Sequence, residues 1–360
     1  MSTPTFAPGS ASRPDHGGDL VLSVRDLEVS FATKRGRAEV VRGLDYDVHA
    51  GETLAIVGES GSGKSVSTLA LTKLLPIPPG RVTGTATLSG TDLLSLPDRD
   101  LQRQRGRHVG YVFQDPMTSL NPVHTIGRQV TEGMRYHLGL SQDEARDRAV
   151  DLLHKVGIPA AEKRLDAYPH EFSGGMRQRV VIAIGLSCRP EVLIADEATT
   201  ALDVTTQAQI TELIEGLQDE LGMAVVWITH DLGVVAGIAD RVLVMYAGEV
   251  VEEADVDTLF ADPRHPYTVG LLASLPVVGE GAGGELASIS GLPPAPTDLP
   301  PGCGFHPRCG VRLDERCATQ RPSLREVGPG HRVRSFYEVP DGDPHRRQVL
   351  ARVAGQGGPS

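Results

Sequence analysis

Three short runs of the chain are almost continuously apolar: Leu54-Ala55-Ile56-Val57, Val192-Leu193-Ile194-Ala195 and Val225-Val226-Trp227-Ile228. Strands that carry hydrophobic residues on both faces belong in a parallel sheet covered on each side. Helical periodicity alternates with them. Ile210, Leu213, Ile214, Leu217 and Leu221 follow the spacing of one helical face and lie between the second and third runs, where a parallel sheet needs a crossover helix. The pattern predicts an α/β fold. Strand signals stop between about 115 and 172, and Ser141-Gln142-Asp143-Glu144 has the S-x-x-E form of a capping box that opens a helix running through Val156. That stretch reads as a helical insertion.

The ends of the chain have another character. Residues 1–18 are rich in Pro, Ser and Gly and read as a disordered arm, with order expected from Asp19. After about Leu275, Gly281-Ala282-Gly283-Gly284 and Leu292-Pro293-Pro294-Ala295-Pro296 mark a linker. Residues 276–340 read as this linker plus a small cysteine-containing appendix, and 341–360 as a disordered tail. No repeat of 20 to 50 residues occurs, which excludes a solenoid.

Composition narrows the picture in two ways. With 360 residues, 40% of them hydrophobic, the chain is long enough for more than one domain, and 41 Gly with 26 Pro exclude neither a core nor a globular fold. Its 35 Lys and Arg against 46 Asp and Glu leave a net charge of −11, the wrong sign for a protein that neutralises nucleic-acid phosphates. No secretory signal and no apolar span of 18 residues is present, so the chain is expected to stay on the cytoplasmic side.

Gly58-Glu59-Ser60-Gly61-Ser62-Gly63-Lys64-Ser65 fits G-x-x-x-x-G-K-[ST] between an apolar run and the helical pattern of Leu69, Leu71, Leu74 and Leu75. In such a loop backbone N–H groups turn inward on phosphates at a helix start, the lysine reaches the β and γ phosphates, and the serine hydroxyl meets Mg²⁺. Gly58, Ser60, Gly61, Ser62, Gly63, Lys64, Ser65 and Val66 are therefore candidate nucleotide contacts, with ATP and Mg²⁺ as the implied cofactors. The run ending at Ala195 is followed by Asp196 and Glu197. Two acids there would otherwise suit a helix N-cap. Downstream of a phosphate loop, Asp196 suits the Mg²⁺ shell beside Ser65, and Glu197 is placed to polarise an attacking water.

Upstream of that strand, Phe172-Ser173-Gly174-Gly175-Met176-Arg177-Gln178-Arg179 resembles the signature of ABC ATPases. The resemblance implies an ABC-type P-loop core with an antiparallel β subdomain, in which Ser173, Gly174 and Gly175 cap the γ-phosphate of ATP bound to an opposite subunit. It extends to Gln114 in Val112-Phe113-Gln114-Asp115, to Ala201-Leu202-Asp203 and to His230 in Ile228-Thr229-His230-Asp231. By resemblance Gln114 touches Mg²⁺ and the attacking water and reports to a membrane partner, Asp203 crosses the dimer interface, and His230 contacts the γ-phosphate. Phe31 is the candidate adenine-stacking aromatic, with a core role equally open.

Over about 20–337 the chain is more narrowly similar to the ATPases of oligopeptide and dipeptide importers, through Phe113-Gln114-Asp115-Pro116-Met117-Thr118-Ser119-Leu120-Asn121-Pro122, the signature, and His265-Pro266-Tyr267-Thr268 with Leu271-Leu272. Met176 is similar to the D-type member of the two paired ATPases, and Ala198 stands where the family usually has Pro. The resemblance implies a peripheral protein at the cytoplasmic face of the membrane. Its partners would be a second homologous ATPase subunit, two transmembrane permease subunits engaged through the helical insertion, and an extracytoplasmic peptide-binding protein. A nickel importer ATPase is the near alternative. A soluble ABC ATPase acting on ribosomes or in DNA repair is the distant one, against which a single P-loop, a single signature and the acidic charge weigh.

Cys303, Cys309 and Cys317 are similar to a C-terminal motif that binds a 4Fe-4S cluster in some peptide importer ATPases, but Ser335 stands where the fourth cysteine falls. With Ser335, His306 or His331 the three thiols could complete a cluster or a Cys₃His zinc site, and a metal-free remnant is equally consistent. Cys188, before the acidic strand, reads as a small buried residue.

Overall fold

The three apolar runs are the central strands of one sheet. The computed structural model describes residues 18–78, 80–200, 202–275, 289–311, 315–340, 342–344 and 346–347. The expected arm up to residue 17, Ala201, the linker over 276–288 and three quarters of the expected tail lie outside the described residues. In chain order the strands are β1 (Leu20–Thr33), β2 (Gly36–His49), β3 (Thr53–Val57), β4 (Gly80–Leu88), β5 (Thr91–Asp92), β6 (Val109–Val112), β7 (Val192–Asp196), β8 (Ala224–Thr229), β9 (Arg241–Tyr246), β10 (Glu249–Asp255), β11 (Arg325–Gly328) and β12 (His331–Val333). The helices are α1 (Lys64–Leu71), α2 (Asp98–Gln104), α3 (Pro116–Ser119), α4 (Ile126–Leu138), α5 (Gln142–Lys155), α6 (Ala161–Arg164), α7 (Gly174–Leu186), α8 (Val204–Leu221), α9 (Leu232–Ile238), α10 (Val256–Ala261), α11 (Pro266–Ala273) and α12 (Arg316–Thr319).

Strands run in the order β11-β12-β10-β9-β3-β8-β7-β6 through the main sheet. The five from β9 to β6 are parallel, with Leu54 opposite Val226 and Ala195 opposite Trp227. Every residue of β3, β7 and β8 is buried, as strands covered on both faces require. A second sheet, β2-β1-β4-β5, is antiparallel. Its Leu22, Val24, Leu27, Val29, Leu44 and Tyr46 share a core with Leu54, Ile56, Ile194 and Val226 of the main sheet and with Leu71 of α1. Each such side chain contributes about 1.5–3 kcal/mol when fully buried.

The opposite face of the sheet is covered by helices. Ile126, Val130 and Met134 of α4, Ala149 and Leu153 of α5, Val180 and Ile182 of α7, and Ile210 and Ile214 of α8 form one cluster with Leu193, Ala195 and Trp227. The insertion thus has no separate core. The capping box forms as the spacing predicts: Ser141 Oγ accepts from Glu144 N at 3.3 Å while the Glu144 carboxylate accepts from Ser141 N at 2.9 Å, and α5 ends at Lys155 with Val156 as C-cap.

The C-terminal appendix continues the main sheet. In β12, Val333 and Arg332 lie opposite Glu252 and Glu253 of β10. Arg321 and Arg334 pair with Glu249, His331 Nε2 lies 2.8 Å from Glu252 Oε1, and Arg332 pairs with Glu253. All three glutamates are buried. The charge-rich sequence of β11 and β12 carries no apolar alternation, which is why the sequence shows a linker and appendix but not two further strands.

Candidate nucleotide site

The phosphate loop leaves β3 at Gly58 and enters α1 at Lys64. Gly58 has φ +152° and a Cβ there would lie 2.2 Å from Met245 O; Gly63 has φ +102° and a Cβ would lie 2.5 Å from Val40 O. Only glycine lets the loop pass that close to β9 and β2. Ser60 and Gly61 are exposed, Ser62 is buried, and Val66 packs at the edge of the core below. Lys64 folds back over the loop, donating from Nζ to Gly58 O at 2.7 Å and Glu59 O at 3.1 Å. Burial holds the Lys64 ammonium below its ordinary pKa, against the pull of Glu197, Asp196 and Glu59. A desolvated cation at a helix start is a strong attractor for a phosphate.

Ser65 Oγ donates to Asp196 Oδ1 at 2.8 Å. Burial pushes the Asp196 carboxyl above its ordinary pKa, the Ser65 bond opposes this, and the neighbouring charge of Glu197 adds to it. A hydroxyl and a carboxylate are the hard oxygen donors that Mg²⁺ takes. The donor set fits that ion.

One residue on, the backbone turns sharply. Glu197 has φ +48°, rare for a side chain other than glycine, and its N–H is tied to Ile228 O at 2.9 Å. That turn aims the carboxylate at the groups brought from other elements. Gln114 Nε2 donates to Glu197 Oε2 at 2.7 Å, Thr200 Oγ1 donates to the same oxygen at 3.3 Å, and His230 Nδ1 lies 3.4 Å from Oε1. Thr200 was not legible as a site residue, since a threonine in a turn carries no motif.

Ser173 caps α7 by accepting from Met176 N at 3.3 Å, and Ser173 and Gly174 are exposed with Gly175 half-buried. Asp203 caps α8, accepting from Thr206 N at 3.0 Å and from Thr206 Oγ1 at 2.7 Å. Phe31 lies on β1 opposite Gly80 and Ala38, half-buried against the core. Ala198 is buried.

A family model described as ABC transporter matches residues 41–200, and one described as the C-terminal region of oligopeptide/dipeptide transporters matches 251–317. The oligopeptide transport ATP-binding protein OppD of Bacillus subtilis (strain 168) is 51% identical over 89% of this chain and 90% of its own. The chain belongs to the ATP-binding subunits of oligopeptide/dipeptide ABC transporters. OppD of Escherichia coli (strain K12) is 48% identical over 89% of this chain and 94% of its own. Among solved structures, the dimeric ABC cassette MJ0796 in a post-hydrolysis state with ADP and Pi is similar with a TM-score of 0.59 and 28% identity, covering 65% of this chain and 98% of that one. The ABC ATPase fold and an ATP-hydrolysing activity follow from this membership.

The appendix of this ABC subunit does not fit the cluster that the sequence raised. None of the four cysteines is in a disulfide. Cys303 N donates to Cys317 O at 2.8 Å, and Cys309 Sγ accepts from Val311 N at 3.3 Å. Burial, with the neighbouring thiols Cys309 and Cys317, pushes the Cys303 thiol up to about 11. Ser335 spends its hydroxyl on a turn with Tyr337, and His331 is engaged by Glu252. His306 keeps a buried Nδ1 without a partner, but among the described residues no three His, Cys, Asp or Glu side chains are arranged to hold a metal. Cys188 is buried, as expected. No helix among the described residues is long and apolar enough to cross a membrane.

Proposed function

We propose that this chain is the ATP-hydrolysing subunit of an importer for di- and oligopeptides, acting at the cytoplasmic face of the membrane as one half of a pair with a second homologous ATPase. The observation that carries this reading is the gathering of Gln114 and His230 around the Glu197 carboxylate beside the Ser65–Asp196 pair. Lys64 and the loop amides bind the β and γ phosphates. Ser65 and Asp196 hold Mg²⁺, which neutralises charge on the phosphates when bound. Glu197 accepts a proton from the attacking water, Gln114 orients that water, and His230 donates toward the γ-phosphate. Asp203 and the Ser173-Gly174-Gly175 turn face the partner ATPase, whose equivalent turn closes over the ATP held here. Phe31 stacks on the adenine.

Peptide as cargo is supported by the relatives named as oligopeptide transport ATP-binding proteins and by the match of residues 251–317 to the C-terminal region of oligopeptide/dipeptide transporters. Closure of the pair on ATP moves two permeases through the helices between β6 and α7, and an extracytoplasmic binding protein delivers the peptide. Replacing Glu197 by Gln is expected to keep ATP binding while turnover falls by about 100-fold or more. Undiminished turnover would remove Glu197 from the reaction. In cells, Lys64→Ala should abolish uptake of a labelled tripeptide; loss of nickel uptake alone would transfer the chain to the metal importers.

A further inference from the structure

Glu59, the first variable residue of the phosphate loop, is held by two side chains from far along the chain. Its N–H donates to Tyr267 Oη at 2.8 Å, from the His265-Pro266-Tyr267-Thr268 stretch that no step of hydrolysis uses. Its carboxylate takes a two-pronged bond from Arg308, with Nη1 2.8 Å from Oε2 and Nη2 3.1 Å from Oε1. Its carbonyl oxygen receives Lys64 Nζ at 3.1 Å and Ser62 N at 3.2 Å. The polar groups of this one loop residue are therefore all engaged, two of them by residues outside the loop.

Arg308 is itself fixed from every side. Its side chain is 6% exposed. It donates to Ser290 O at 3.0 Å, Ile289 O at 3.2 Å and Tyr246 Oη at 3.3 Å, and its guanidinium stands 5.7 Å from the centre of the Tyr246 ring. Tyr246, Tyr267 and Phe305 pack together with ring centres 4.6 to 5.4 Å apart. Arg308 closes the short turn His306–Arg308 between Cys303 and Cys309. The cysteine appendix thus ends, chemically, on the phosphate loop.

We propose that Arg308 is a positioning residue for ATP, acting through Glu59. The inference rests on the nucleotide reading of the loop. Two effects work together. The bidentate pair neutralises a carboxylate that would otherwise repel the triphosphate, and it pre-orders the loop so that less freedom is lost on binding. The guanidinium never meets the nucleotide.

The test is equilibrium binding of a fluorescent ATP analogue with Mg²⁺ to the full chain, with kcat and KM for ATP measured in the assembled transporter. Arg308→Gln is expected to weaken binding and raise KM by about tenfold with kcat changed less than about threefold, and Arg308→Lys to restore part of the affinity. In the double variant Glu59→Gln/Arg308→Gln the repelling charge is gone, so binding should be no weaker than in Arg308→Gln alone. Unchanged affinity in Arg308→Gln, or losses that multiply in the double variant, would overturn the assignment. Should Arg308→Gln fail to fold, Arg308→Lys carries the same test, since it keeps a positive charge beside Glu59 but loses the two-pronged bond; wild-type affinity there overturns the proposal too. A wild-type chain that binds no MgATP would instead overturn the nucleotide reading itself.

Discussion

Asp196 and Lys64 are charged groups kept where charge is costly, and each is displaced in the direction that a bound nucleotide would correct. Burial raises the Asp196 carboxyl above its ordinary pKa and lowers the Lys64 ammonium below its own. For an acid whose folded pKa is raised, ionisation costs more folded than unfolded, so stability without ligand falls as pH climbs from the ordinary carboxylate range through the raised value. Asp196→Asn removes that slope. The variant is expected to melt about 2 °C higher than wild type near neutral pH without nucleotide, yet to gain less from Mg²⁺ and ATP. Melting curves across pH, with and without ligand, read both effects; a lower melting point without ligand would mean that the Ser65 bond outweighs the burial. At this scale the sequence was legible where chemistry fixes local spacing, as in the phosphate loop and the acid pair. It assigned no role to Thr200, a threonine in a turn, nor to Tyr267 and Arg308, whose shared partner Glu59 lies some 200 residues or more back in the chain.

Among elements, β10 is unusual in burying three acids in a strand. Glu252 has no exposure and accepts from Arg264 N at 2.7 Å, from His265 N at 2.9 Å and from His331 Nε2 at 2.8 Å. His265 is buried too, with its pKa pushed down to about 3 by burial, so it stays neutral and caps α11 by accepting from Tyr267 N at 3.0 Å. Glu252→Ala strips three buried donors of one acceptor and should cost about 3 kcal/mol, read as a melting point lower by about 6 °C. Retained stability would show that water replaces the carboxylate. The same residues explain what could not be read from sequence: the acids of Glu249-Val250-Val251-Glu252-Glu253 are made compatible with burial by partners distant in the chain, the arginines and histidine of β12 and its flanks together with Arg42 of β2 and Arg241 of β9. The central strands and α8 needed no such partner, because apolar periodicity alone decided them.

Across the whole molecule, the exposed start of α7 and the loop at Lys64 are the two halves of the proposed ATP site, contributed by opposite members of the pair. Gly174→Asp would set a carboxylate where the partner's γ-phosphate is expected. It should lower hydrolysis by the assembled pair about 100-fold and stop ATP-driven pairing, which sedimentation of the Glu197→Gln background reads directly. Pairing that survives the substitution would show that this turn faces elsewhere. The two added strands have a consequence apart from the reaction. A sheet that stopped at β10 would leave a row of backbone donors and acceptors open beside the buried-type residues Val250 and Val251, a template on which other chains could pair. Strand β12 covers that row, and the short, arginine- and glutamate-bearing β11 becomes the new rim. A chain cut after residue 275 should therefore be lost to β-rich aggregates during expression, so that the C-terminal region protects the solubility of the subunit as well as touching its nucleotide loop.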